Sequence, residues 1–227
     1  MTSGFSYDPA ANDVQISDNL LLTGIISGSG NTVHIARSAA QHRATINIHG
    51  DNNTVKIDEH SRLGGLVIDI GNAKWKNTGA RLTIGRNFST GSKGRFQLPN
   101  PGNVLEIGDD CMFSNSIVIR GGEYPHLIFD KTTGDYLDVS DGIFIGNHVW
   151  VGEGVYINKS VTIKHGCIVG ARSVVTRRFD AEDAVIAGSP ARVVKENVQW
   201  MANERQLEPG SPFAEAYAKV RKPNQQL

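Results

Sequence analysis

Cysteine is scarce, charge is balanced and no apolar run is long, and each of these lacks removes a class of protein. The two cysteines, Cys111 and Cys167, lie in separate apolar stretches without a paired-spacing motif. A disulfide framework is therefore excluded, and reduced, buried thiols in a cytoplasmic protein are expected. Lys and Arg number 23 against 23 Asp and Glu, interspersed from Arg37 to Arg221, so no basic excess exists to grip nucleic acid. No stretch approaches the ~20 apolar residues of a membrane span. The opening MTSGFSYDPAAND has no basic head before an apolar segment, so no signal peptide is expected. A chain of 227 residues can bury a core without help from disulfides or metals.

Glycine is abundant instead, at 25 residues, about 11% against the roughly 7% of ordinary proteins. A repeat explains it. From Ile145 a branched aliphatic residue returns every sixth position, at Val151, Ile157, Ile163, Val169 and Val175. A second column of small or β-branched residues follows four places after each of the first five, at Val149, Val155, Val161, Cys167 and Ser173. A period of six fits neither a helix nor a simple strand. It fits short strands joined by tight turns, with one residue per strand pointing inward and glycine or asparagine at the corners. Three such strands close a triangular coil of about 18 residues, and coils stack at the ~4.8 Å strand spacing.

The N-terminal half repeats more loosely. Asn31 to Ile35 recurs as Asn53 to Ile57, and Ala44 to Ile48 is echoed by Gly65 to Ile70. The expected fold is an all-β solenoid, with a lead-in over 1–20, the coil over 21–196 and a tail over 197–227. Residues 120–142 lack the ladder and should project as a loop, the kind of segment that carries function on a rigid scaffold. The tail composition predicts helix from Val193 to about Leu207, then a second amphipathic stretch from Phe213 to Val220, capping the solenoid.

Ile145-Gly146-Asn147-His148-Val149-Trp150-Val151-Gly152, the ladder after it and Ala187-Gly188-Ser189-Pro190-Ala191-Arg192-Val193-Val194 resemble the hexapeptide-repeat acyltransferases. Asp110-Cys111-Met112-Phe113-Ser114, the loop histidine before Leu127-Ile128 and Val194-Lys195-Glu196-Asn197 look most like bacterial O-acetyltransferases of capsular and surface polysaccharides, the sialic-acid capsule type included. The resemblance implies a left-handed parallel β-helix, against the general right-handed preference for crossovers. It also implies a homotrimer with acetyl-coenzyme A in the cleft between neighbouring prisms, and a glycan or sugar precursor as acceptor.

Acetyl transfer from a thioester to a sugar hydroxyl needs a base near neutral pH, for which imidazole is suited. Of seven histidines, His126 alone lies in the projecting loop, and it matches the position of the family's catalytic histidine. His34, His42, His49 and His60 read as turn or surface residues, and His148 and His165 as coil-corner residues. Glu123, Asp130, Asp138 and Asp141 are all candidates to orient His126. Trp150 is bulky for its place in a hexapeptide, and either packs against a neighbouring subunit or, as the family match favours, lines the coenzyme cleft as a second catalytic residue, its indole N–H available as a donor and its ring a wall for the thioester. The resemblance places pantetheine contacts at Gly152 and Ala171. Basic positions that match the coenzyme phosphates are Lys159, Thr176-Arg177-Arg178 and Arg192. No metal is expected, because no pair of histidines has the spacing of the zinc hydratases on this scaffold. N-acetylation of a nucleotide-linked amino sugar and a non-catalytic solenoid scaffold are the two competing readings.

Overall fold

A computed structural model describes residues 4–38 and 41–221; the ends of the expected lead-in and tail, residues 1–3 and 222–227, lie outside the described residues. Alternation is visible inside each short strand. Trp150–Val151, Tyr156–Ile157, Thr162–Ile163 and Ile168–Val169 each expose the first residue partly and bury the second, as the pleat requires. Successive strands therefore turn a corner after each inward residue. The chain winds into a three-sided prism, a left-handed parallel β-helix whose faces are sheets of nine, seven and six strands.

Register shows why the repeat was regular in one half and loose in the other. Tyr156 stacks on Val174 and Ile157 on Val175, a coil of 18 residues. Thr32 stacks on Thr54 and Ile35 on Ile57, a coil of 22 whose extra residues lie at the corners. Every first-column and second-column residue from Ile145 to Val175 is buried, forming stacked aliphatic columns along the prism axis. The N-terminal coils are filled by the same columns, Val33, Val55, Leu82 and Leu105 among them.

Asparagine does at the N-terminal corners what aliphatics do inside. Asn53 Nδ2 donates to Asn31 Oδ1 (3.0 Å) and to Asn77 O (3.3 Å), while Asn53 Oδ1 accepts from Ala80 N (2.9 Å). All three asparagines are fully buried. Asn53→Ala strands several buried polar groups at once, so it should lower the unfolding free energy by about 2–4 kcal/mol, read as an earlier denaturant midpoint. The ladder continues to Asn100, whose carbonyl accepts from Asn77 Nδ2 at 2.8 Å.

Two boundaries differ from expectation. Phe5–Ser6 pairs with Gly24 and Ile25, and Asp13–Ile16 pairs with Thr32–Ile35, so much of the expected lead-in is already part of the prism. At the other end, Val193 to Leu207 is not a helix. Ala191–Lys195 forms an antiparallel strand on Val185–Gly188, closing the open edge of the six-strand sheet, and only Glu204–Gln206 makes a short 3₁₀ turn. The helix α1 (Pro212–Arg221) covers the second amphipathic stretch but buries none of its residues, so the strand and not the helix provides the cap.

Candidate active site

Residues 121–142 connect Val118–Arg120 on the nine-strand face to Ile143–Ile145 on the seven-strand face, and so leave the prism at the edge between them. Passage at the root depends on Gly122, where a Cβ would lie 2.1 Å from Asn100 Oδ1. Further out the loop doubles back, with Phe129 bridged antiparallel to Tyr136 and their rings 5.4 Å apart. Its outgoing and returning arms are tied at Asp138, which is 1% exposed. The Asp138 carboxylate accepts from Asn100 Nδ2 (2.8 Å) and Glu123 N (2.8 Å) and pairs with Lys159 of the next coil. Asn100 Oδ1 in turn accepts from Tyr124 N at 3.1 Å. Burial raises the Asp138 pKa, but the bonds from Lys159, Asn100 and Glu123 N outweigh it and hold the carboxyl below its ordinary value.

His126 follows two residues beyond this anchor, its N–H donating to Glu123 O at 2.9 Å and its side chain exposed. Each of the four candidate carboxylates is engaged elsewhere. Glu123 pairs with Arg120 at 3.1 Å, Asp141 with Arg178 at 2.8 Å, and Asp138 is saturated as above. Asp130 accepts from Thr132 N (2.7 Å) and Thr133 N (2.9 Å), which lower its pKa. The loop is held rigid by its own acids while the imidazole stays open.

Trp150 projects outward from the six-strand face, between Met112 and Ile168 in register. Its Nε1 is buried and has no hydrogen-bond partner among the described residues. A buried, unsatisfied donor costs about 1–3 kcal/mol, which an incoming acceptor atom would recover. Neither cysteine offers a covalent alternative: both thiols are buried, and burial pushes Cys111 up to about 12, leaving no thiolate to attack a thioester.

The six-residue ladder that carries these groups has counterparts among known proteins. Residues 142–177 match the family described as bacterial transferase hexapeptide (six repeats). The polysialic acid O-acetyltransferase of Neisseria meningitidis is 30% identical over 202 residues, 88% of this chain and 90% of that protein. The chain belongs to the hexapeptide-repeat acetyltransferases. Among solved structures, the polySia specific acetyltransferase NeuO superposes with a TM-score of 0.75 at 26% identity, over 96% of this chain and 99% of that one. The polysialic acid O-acetyltransferase OatWY shares the fold, with a TM-score of 0.62 at 23% identity, over 96% and 98% of the two chains.

In this acetyltransferase the residues expected at the site fall into two groups on opposite sides of the prism. Trp150 lies on the six-strand face, Gly152 and Ala171 at its edge with the nine-strand face, and Arg192 on the closing strand. Gly152 is required there because a Cβ would lie 2.7 Å from Ala171 N. His126, Lys159 and Thr176-Arg177-Arg178 line the edge between the nine- and seven-strand faces. In a three-sided prism that edge points away from the six-strand face, so one chain does not bring His126 to its own Trp150.

Lys159, expected at the coenzyme phosphates, forms an ion pair with Asp138 that tethers the loop. Arg178 is held by Asp141 at 2.8 Å, and Arg192 Nη1 donates to Ala191 O at 2.8 Å. Arg177 is exposed, while Phe179 turns inward to the core. Asn100 as the loop's body-side anchor was not legible from sequence, since nothing in its spacing separates it from the other ladder asparagines. Trp200 was also missed. Its signal was there, the one aromatic between Asn197 and Asn203.

Proposed function

We propose that the protein transfers an acetyl group from acetyl-coenzyme A to a hydroxyl of a sialic-acid-containing capsular polysaccharide, at sites shared between the chains of a cytoplasmic homotrimer. The observation that carries this reading is the opposed placement of His126, exposed at one edge of the prism, and Trp150, half-buried on the face opposite with its N–H unpaired among the described residues. A neighbouring copy that lays its loop edge against the six-strand face brings the two together three times in a closed ring. The loop's exposed apolar side chains, Leu127, Ile128, Phe129, Leu137 and Val139, support burial against such a neighbour.

His126 removes the acceptor hydroxyl proton as that oxygen bonds to the thioester carbonyl carbon. The Trp150 N–H stands ready to donate toward the acyl group, where negative charge develops on oxygen. The carbon–sulfur bond then breaks, and the imidazolium returns its proton to the departing sulfur. Ala171, exposed at the corner beside the buried Gly152, leaves backbone accessible to the amide-bearing pantetheine arm, and Arg177, with Thr176 beside it, is the cation best placed for phosphate.

Incubation with acetyl-coenzyme A and either polysialic acid or an amino-sugar nucleotide tests the reading directly. Acetyl ester on the polymer, lost on mild alkaline treatment, is the expected product; an alkali-stable amide on the amino sugar overturns it. Coenzyme A at 100 times its Kd should add about 2.7 kcal/mol to stability, visible as a rise in Tm.

A further inference from the structure

After the closing strand Ala191–Lys195 the chain does not leave the protein. It runs back along the edge between the seven- and six-strand faces. Val198 N donates to Asp183 O at 2.8 Å, and Trp200 then seats on the corner two coils below, 6% exposed. The Trp200 and His148 rings stack nearly parallel, with centroids 4.0 Å apart and planes at 6°. Their polar ends are reciprocal: Trp200 Nε1 donates to His148 O at 2.9 Å, and His148 Nε2 lies 3.1 Å from Trp200 O. A carbonyl can only accept, so His148 Nε2 carries the proton. The other edge of Trp200 meets Trp150, at 6.1 Å between centroids and 45° between planes.

We infer that Trp200 is a positioning residue for Trp150, clamped by His148 so that the tail fixes the indole whose N–H has no partner. The inference rests on the role proposed for Trp150. An outward-facing tryptophan on strands only two residues long has little beside it to select one rotamer. Met112 and Ile168 flank it along the sheet, and both side chains are flexible or aliphatic; Trp200 supplies a rigid planar wall on a third side. A donor must be held to within a fraction of an ångström to serve a developing charge, and this wall supplies that constraint. The purpose of the tail's return is then to connect the end of the chain to the geometry of the acyl site.

The test uses the full chain in a Trp75→Phe background. Trp200→Ala should lower kcat by between about 10-fold and 100-fold with little change in acceptor KM, and shift Trp150 emission to the red. Trp200→Phe, which keeps the ring against both neighbours, should restore kcat to within a few-fold of the parent and return the emission toward the blue. His148→Asn, a residue that tolerates the left-handed φ of 53° found there, removes the clamp from the other side and should reproduce the loss even if Trp200→Ala fails to fold. If Trp150→Ala retains parent turnover, the role of Trp150 falls and this inference with it. If Trp150→Ala is inactive while Trp200→Ala or His148→Asn turns over as the parent does, the inference alone is overturned.

Discussion

His126→Ala is expected to reduce turnover by about 10²–10⁴-fold, the usual contribution of a general base, with folding and assembly unchanged because the side chain is exposed and the loop is anchored elsewhere. A steady-state assay over acceptor concentration checks it, and a loss of only a few-fold would remove His126 from the chemistry. The opposed placement of the two groups makes a second outcome obligatory. Trp150→Ala should also be strongly impaired, yet co-assembly of equal amounts of the two defective chains should regain activity at about a quarter of the sites, by random pairing around a closed ring. Recovery occurs only if His126 and Trp150 come from different chains. A mixture that stays as inactive as its parts, once mixed assembly has been verified by differential tagging, rules out a shared site.

Asp138→Asn should have the second-largest effect, for a different reason. The substitution keeps shape and can still accept from Asn100 and Glu123 N, but it leaves the Lys159 ammonium, about one-fifth exposed at 21%, without its counter-charge. Breaking a buried pair from one side costs roughly 3–5 kcal/mol, and partial exposure of Lys159 reduces this to about 2–4 kcal/mol. Both arms of the loop meet at this carboxylate, so His126 loses its fixed approach and kcat should fall by about 10²-fold, as expected of a displacement near 1 Å. Adding Lys159→Met to Asp138→Asn removes the stranded charge and should recover part of the stability; a double-mutant cycle measures the coupling. If Asp138→Asn matches the parent in both Tm and kcat, the anchor is not needed.

The same pair sets an acid limit. The Asp138 pKa is lowered on folding, from an ordinary value of 3.8. Its stabilising contribution is therefore fully present above that value and is lost as pH falls through the lowered one. Parent protein should lose loop order only below about pH 4, and Asp138→Asn should lack that component of the acid transition.

Much of the prism could be read from residues alone because its period is a direct consequence of geometry. Ile145 to Val175 must recur every sixth place if one residue per strand points inward and each coil has three strands. The N-terminal coils were harder to read, since 22-residue coils spend their extra residues at corners and satisfy them with Asn31, Asn53 and Asn77 in place of a fixed hexapeptide. The helix expected from Val193 to Leu207 failed for a related reason. Local composition there favours helix, but the open sheet edge at Val185–Gly188 offers backbone partners that an isolated helix does not.

At the site, sequence by itself determined which side chains are available: a loop histidine, an out-of-place tryptophan and a handful of cations. It also determined the family, because the hexapeptide ladder and the flanking motifs are one-dimensional signals. Tertiary structure alone decided how those side chains are spent. Lys159 and Asp138, each a candidate for the chemistry by type, neutralise one another where two coils meet; Trp200, 50 residues from Trp150 along the chain, arrives beside it only because the tail turns back. Periodicity is encoded in neighbouring residues and can be read from them, whereas charge pairing and ring stacking depend on which residues the winding of the coil brings within a few ångströms.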